Sequence, residues 1–406
     1  MKDKQIESLI KNEKERVKKV INLIPSENFA SPDVYSALGS VFDYKYSEGY
    51  PHKRYYGGQT YTDKLEDLAK ERALKLFKLS DSEWAVNVQP HSGSPANLAT
   101  YLALVPLGGK IMGMTLSAGG HLTHGQKVSM TGKAWVQVPY GVDPKTEVID
   151  YDGIAELAKK EKPNLIVAGF TAYPRKIDFK KFREIADSVG AYLMVDMSHF
   201  AGLVAGGVYE SPFKYADVVT TTTHKTLRGP RSAMIFSKKT KTKADAKGKE
   251  ASISELIDKA VFPGLQGGPH MSQIAAVAVA LKEASTPAFK SYAKQVIKNA
   301  QALAKRLTEL GWRVVSGGTD SHLLLVDTWM GGTKNTYGVG GVSGKDAAIK
   351  LEENGIICNF NTIPGETRSP FDPSGIRLGS PSETTRGKKE KDFKKIAEKI
   401  DKVLRS

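Results

Sequence analysis

An α/β fold is predicted. A large domain with a mostly parallel mixed sheet sandwiched by helices precedes a smaller C-terminal α+β domain. Three observations point there. Short apolar runs rich in β-branched residues alternate with helical stretches between about residues 84 and 223, the pattern of a parallel sheet covered by its crossover helices. A glycine-rich segment, Phe262–Pro269, then breaks the pattern, and a different mixture of elements follows. The length, 406 residues, provides material for two domains.

Residues 1–20 form an N-terminal helical arm, with a charged helix over Lys4–Val20. The large domain is placed at 21–280 and the small one at 281–406. Trp84–Val88 reads as a strand ending in PHSGSPAN. A helix follows over Ser94–Leu104, with Ser94 as N-cap and Pro95 at the first helical position. Lys110–Met114, Asn164–Ala168, Ala191–Val195 and Ala216–Thr223 read as further strands, and Phe179–Ser188 as a helix. Beyond Pro269, one helical region over Met271–Leu310 is expected to kink near Pro287. The small domain offers Trp312–Val315, His322–Asp327 and a helix over Gly344–Glu353, with Met330–Gly341 as an exposed glycine-rich loop.

Composition narrows the function classes. The single cysteine, Cys358, excludes an internal disulfide and fits a cytosolic setting. No signal peptide or membrane-spanning run is read, so the expected location is cytoplasmic. The net charge of +15 is spread along the chain. Its densest run, Lys238–Lys249, lacks aromatic residues on which bases could stack and reads as a solvated flap. Dedicated nucleic-acid binding is therefore disfavoured, while a general positive field could draw in anionic substrates and cofactors.

Chemistry concentrates at strand ends. Lys225 lies in TTTTHKTLRGPR, after the β-branched run that ends the Ala216–Thr223 strand. The carboxyl ends of strands in an open α/β sheet are where ligands bind. A lysine there can form a Schiff base with pyridoxal phosphate; the alternative is a surface lysine. Asp196, after Ala191–Val195, could hold the pyridine nitrogen protonated, or could simply cap the strand end. Ser92-Gly93-Ser94 at a helix start could take a phosphate on exposed N–H groups, or serve only as a cap. His121 and His124 lie in GGHLTHG. A flat imidazole there could pack on a cofactor ring, and a metal is disfavoured because glycines surround the pair and no Cys or Glu cluster accompanies it. Arg377 in SGIRLGSP could fork onto a carboxylate. The segment YSEGYPHKRYYGG, Tyr46–Gly58, gathers polar aromatics and reads as a buried polar wall; within it Glu48 could exchange a proton with a substrate hydroxyl.

Together these segments resemble serine hydroxymethyltransferases, pyridoxal-phosphate enzymes of fold type I, the aspartate-aminotransferase fold. SENFASP (Ser26–Pro32), FPGLQGGP and SGGTDSHL extend the likeness over nearly the whole chain. The resemblance implies that pyridoxal 5'-phosphate is carried covalently on Lys225, paired with Asp196 and stacked on by His121, with His199 at its phenolic oxygen. Ser92, Gly93 and Ser94 would hold the phosphate, and Thr171, His224 and Arg231 fall at cofactor-site positions. Arg377 would bind the serine carboxylate, assisted by Ser26. The family's sites are shared between subunits, so Tyr46, Glu48, Tyr55, Tyr56 and Gly268 would reach the cofactor of a second copy, in a homodimer or tetramer.

The implied reaction moves the hydroxymethyl carbon of serine to tetrahydrofolate or a related reduced pterin, leaving glycine, with Glu48 moving protons. Pterin contacts would come from Leu116, Gly120, Leu122, Asn361 and the turn Ser369, Pro370, Phe371. The chain departs from the usual pattern at Pro95, Ala118, Ser232 and Phe360; Ala118 and Phe360 bear on which pterin is bound. The nearest rival is a pterin-independent aldolase acting on threonine-type substrates, which would share Lys225, Asp196 and Arg377. A basic binding protein that keeps the fold without catalysis is the rival from another class, and the full catalytic set argues against it.

Overall fold

The computed structural model describes residues 1–242 and 250–406. Two compact units divide the chain: Asn28–Lys294, and Met1–Glu27 together with Gln295–Ser406.

The Asn28–Lys294 unit is built on seven strands: β1 Trp84–Asn87, β2 Lys110–Met114, β3 Val136–Tyr140, β4 Leu165–Gly169, β5 Tyr192–Asp196, β6 Val218–Thr222 and β7 Ala233–Lys238. Their order is β1-β7-β6-β5-β4-β2-β3. The run from β3 to β6 is parallel, whereas β7 is antiparallel to both its neighbours. Every residue of β4 and β6 is buried, so these strands are apolar or hydroxyl-bearing runs without polar alternation. Register sets Gly169 beside Asp196 and Asp196 beside Thr220. The carboxyl ends of β4, β5 and β6 therefore lie abreast on one edge, where the ligand-binding crevice of a doubly wound sheet is found.

Two helix boundaries differ from expectation. The helix after β1 spans Gly93–Leu104, and its N-cap is Ser92, not Ser94. Pro95 then falls within the first turn, whose N–H groups have no intrahelical acceptor, so the ring costs nothing there. The region from residue 271 is two helices, Met271–Ala284 and Pro287–Glu309, not one kinked helix. Thr286 Oγ1 accepts the Phe289 N–H at 3.3 Å, making Thr286 a cap and Pro287 a first helical residue. The lysine-rich run begins as the end of β7, and Thr242 N–H reaches Ala251 O. Residues 243–249 of the expected flap lie outside the described residues.

The other unit carries β8 Arg313–Val314, β9 Leu323–Asp327, β10 Asn359–Asn361 and β11 Gly375–Gly379. They form an antiparallel sheet in the order β8-β9-β11-β10. Its core packs Leu303, Leu307 and Trp312 with Leu324, Ile376, Phe393 and Ile400. The arm helix, Lys4–Lys19, buries no residue and is capped by Asp3. Residue 22 is tied to the chain's far end by Glu383, fully buried, which accepts the Asn22 N–H and pairs with Arg386 and Lys388. Among the described residues, no helix is long and apolar enough to cross a membrane.

Candidate active site

Asp196 ends β5 as a buried carboxylate. Its Oδ2 accepts Asn97 Nδ2 at 2.9 Å and meets His124 Nε2 at 3.1 Å, and its Oδ1 accepts the Ser198 N–H at 3.0 Å. His124 Nδ1 accepts the His121 backbone N–H. Because Nδ1 accepts, Nε2 is the ring nitrogen that donates to Asp196. Burial alone would raise the Asp196 carboxyl. The hydrogen bond from His124 and its charge interaction, then the nearby Lys225 cation, outweigh it and hold the group well below the usual carboxylate range.

Asn97 extends the network in both directions. Its Oδ1 accepts Thr220 Oγ1 at 2.7 Å, and its Nδ2 also reaches Thr123 Oγ1 at 2.8 Å. The Thr123 hydroxyl, accepting from Asn97, donates to His121 Nδ1 at 2.7 Å. The orientation of His121 is thus linked to that of Asp196 through one helix residue. Asn97 can do this because the Gly93–Leu104 helix packs on the sheet, turning Asn97 and Thr100 inward with Ala96 and Ala99.

Lys225 lies three residues past β6, in a turn closed by Gly229 N–H to Thr223 O and by Thr223 Oγ1 to Pro230 O. Its carbonyl accepts Asn28 Nδ2 at 2.9 Å. His224 is kept neutral. Burial, then the charges of Lys225 and Arg231, lower its pKa to about 3, and its buried Nδ1 has no hydrogen-bond partner among the described residues. Beside this turn, a Cβ at Gly93 would stand 2.7 Å from Thr222 Cγ2, so only glycine lets the Gly93–Leu104 helix start this close to β6. Ser92 makes no side-chain capping bond there.

The loop after β2 carries Leu116, Gly120, His121 and Leu122. A Cβ at Gly120 would lie 2.0 Å from Met114 O, which fixes the glycine. Leu116 and Leu122 are exposed. Thr171, just beyond β4, anchors this loop through its N–H to Gly119 O at 2.7 Å. His199 is buried, and its carbonyl accepts Thr226 Oγ1.

The Tyr46–Gly58 segment corrects an expectation. Tyr46, Tyr55 and Tyr56 are exposed, Tyr55 by 75%, and do not form a buried wall within one chain. What is buried is the anchor beneath them. Arg54, with a side chain 3% exposed, pairs with Glu66 at 2.7 Å and Asp63 at 2.9 Å, and also donates to Ser47 O and Gly49 O. Tyr46 donates to Glu48 Oε1 at 3.3 Å, and the Glu48 carboxylate pushes the Tyr46 phenol upward. Tyr46 lies on Gly268, and Glu48 and Tyr55 line a cleft of about 520 Å³ with Phe262–Gly267.

The remaining predicted residues belong to the other unit. Arg377 on β11 is buried, and its Nε donates to Asn359 Oδ1 at 3.0 Å. Burial lowers its pKa to about 10, so it is still a cation at neutral pH. Ser26 is half-buried; Asn361 ends β10 and donates to Thr362 O. The Ser369-Pro370-Phe371 turn projects outward, with Phe371 84% exposed.

Sequence reasoning missed the roles of Asn97, Thr123, Thr220 and His124. A usable signal existed for Asn97, a polar residue on the otherwise small apolar face Ala96–Ala99. The donor set has the composition that pyridoxal phosphate needs: a buried anion for the ring nitrogen, a lysine at a strand end, an orphaned buried imidazole nitrogen, and helix-start N–H groups against which only glycine fits. The family model described as serine hydroxymethyltransferase matches residues 1–400 of this chain. By that match over nearly its whole length, the chain belongs to the serine hydroxymethyltransferase family.

Proposed function

We propose that the chain holds pyridoxal phosphate covalently on Lys225 and moves the hydroxymethyl carbon of serine to a reduced pterin at a site shared by two copies. As a member of its family it is a pyridoxal-phosphate-dependent transferase of one-carbon metabolism, acting on serine, glycine and folate. The observation that carries the detailed reading is Asp196: a buried carboxylate fixed by Asn97 and His124, with Lys225 near enough to bear on its charge.

When bound, pyridoxal phosphate supplies an electron sink for the bond broken at the substrate Cα. The protein's residues do the rest. Asp196 presents a fixed negative charge to the ring nitrogen, and His124 and Asn97 keep that charge in place. His121, oriented through Thr123, packs on the ring face. Ser92, Gly93 and Ser94 offer N–H and hydroxyl donors to the phosphate, and His224 stays neutral beside it. His199, Thr171 and Arg231 complete the cofactor's surroundings.

Arg377, its fork oriented by Asn359, takes the serine carboxylate with help from Ser26, which sets the orientation of the Cα substituents. Glu48 exchanges a proton with the serine hydroxyl and the pterin nitrogen. It reaches the site of a second copy together with Tyr46, Tyr55, Tyr56 and Gly268; the outward display of those tyrosines supports this reading. The pterin lies against Leu116, Gly120, Leu122, Asn361 and the Ser369–Phe371 turn, and the homodimer is the smallest assembly that completes a site.

A pterin-independent aldolase is not favoured, given the family match over residues 1–400. Glycine formation from serine, measured with and without tetrahydrofolate and then with other reduced pterins, tests the reading. Strong stimulation by one pterin is expected. Equal rates without any pterin would replace the transferase by an aldolase.

A further inference from the structure

Phe371 is the most exposed large apolar side chain among the described residues, at 84%. It nevertheless stands on a tightly bonded turn. The Arg368 guanidinium lies over the Trp329 indole, 4.0 Å from the ring centroid. The same guanidinium donates to Asp372 O at 3.0 Å and pairs with the Asp372 carboxylate, so it spans the base of the turn. Glu366 secures both ends: its carboxylate accepts the Arg368 N–H at 2.9 Å, the Ser374 N–H at 2.9 Å and Ser374 Oγ at 2.7 Å. Within the turn, Asp372 N–H returns to Ser369 O at 2.9 Å.

Trp329 is itself fixed. Its N–H reaches Asp327 Oδ1 at 3.0 Å at the end of β9. A Cβ at Gly332 would come within 2.9 Å of the indole, so the glycine-rich loop after β9 closes on the ring's edge. An exposed aromatic on a turn braced in this way is a preformed contact surface. A ligand that meets it need not order it first, and avoided ordering cost appears as affinity.

We infer that Trp329 and Arg368 are positioning residues that fix the Ser369–Phe371 turn for the pterin. The inference rests on the proposed contact between that turn and the pterin. The stacked cation braces the turn from beneath and touches no substrate. Its loss leaves serine binding and bond cleavage intact and weakens pterin binding alone.

Steady-state kinetics on Trp329→Leu and Arg368→Met, in the cofactor-loaded full chain, tests this. The KM for tetrahydrofolate should rise about fivefold to tenfold, as for one extra ordering step on binding. The KM for serine should stay unchanged, and Trp329→Phe should restore most of the pterin KM. An unmoved pterin KM in both variants, or a parallel fall in every parameter, would overturn the inference. If the unsubstituted protein shows no pterin dependence at all, the transferase reading falls with it; pterin dependence with an unmoved KM removes the clasp alone.

Discussion

Two buried carboxylates in the Asn28–Lys294 unit have opposite surroundings. Glu66 is fully buried and pairs with Arg54 at 2.7 Å and Lys70 at 3.0 Å, with Gln89 Nε2 adding a donor. Its charge is matched by cations that are part of the fold, and it anchors the exposed tyrosine segment. Asp196 is held instead by an amide, an imidazole N–H and a backbone N–H. Amide and backbone donors orient this anion, and no Arg or Lys side chain forms an ion pair with it among the described residues. Arginine and lysine surround Glu66, whereas an amide, an imidazole and a backbone N–H surround the carboxylate proposed to face the cofactor.

Substitution at each carboxylate tests that contrast most strongly. Asp196→Asn removes the charge, and the kcat of the folded molecules should fall on the order of a hundredfold to a thousandfold. Glu66→Gln removes one of the two carboxylates that pair with buried Arg54, and stability should fall by about 2 kcal/mol in urea unfolding, with kcat retained by the molecules that stay folded. If both variants lost the same property, the distinction between scaffold and working carboxylate would be wrong.

The next effect concerns the rim. Tyr55 is exposed in one chain, so Tyr55→Ala should change the stability of the fold by no more than about 0.5 kcal/mol while lowering activity. Mixing Tyr55→Ala with Lys225→Ala under subunit exchange should restore about a quarter of full activity, because half the molecules are mixed and each has one intact site. No recovery on mixing would place Tyr55 in its own chain's site.

How much of this was readable beforehand differs between the same regions. Lys225 and Asp196 stand at the ends of apolar strands, and parallel strands bring their carboxyl ends to one edge, so the placement of both was legible from order and hydropathy. Asn97 and His124 were not assigned their roles, because a donor aimed at a carboxylate some 70 to 100 residues away leaves no local pattern. The tyrosine segment is exposed and not the expected buried wall, because a cluster of Tyr carries no local mark of burial. The returning strand Ala233–Lys238 gave only a short apolar run after Gly229-Pro230, which does not reveal its antiparallel direction. Pro287 suits both a kink and a first helical position, and the helical periodicity on either side of it does not separate the two; the Thr286 cap does.

The smallest effect is a pH dependence at His224. Burial first, then Lys225 and Arg231, lower its folded pKa from 6.5 to about 3. The unfolded chain takes up the proton earlier as pH falls. The stabilising contribution is therefore present above pH 6.5 and is lost progressively between 6.5 and about 3. His224→Asn should flatten stability against pH in that window, and an unchanged slope would show that His224 is not buried in its neutral form.

The central claim is the proposed pairing of a covalent lysine with the buried Asp196 anion. Borohydride reduction of the protein loaded with pyridoxal phosphate, followed by peptide mass mapping, tests it most directly. The account predicts one reduced cofactor adduct, on Lys225, and weaker retention of the cofactor in Asp196→Asn. An adduct on another lysine, or none on a sample that still turns over serine, would contradict it.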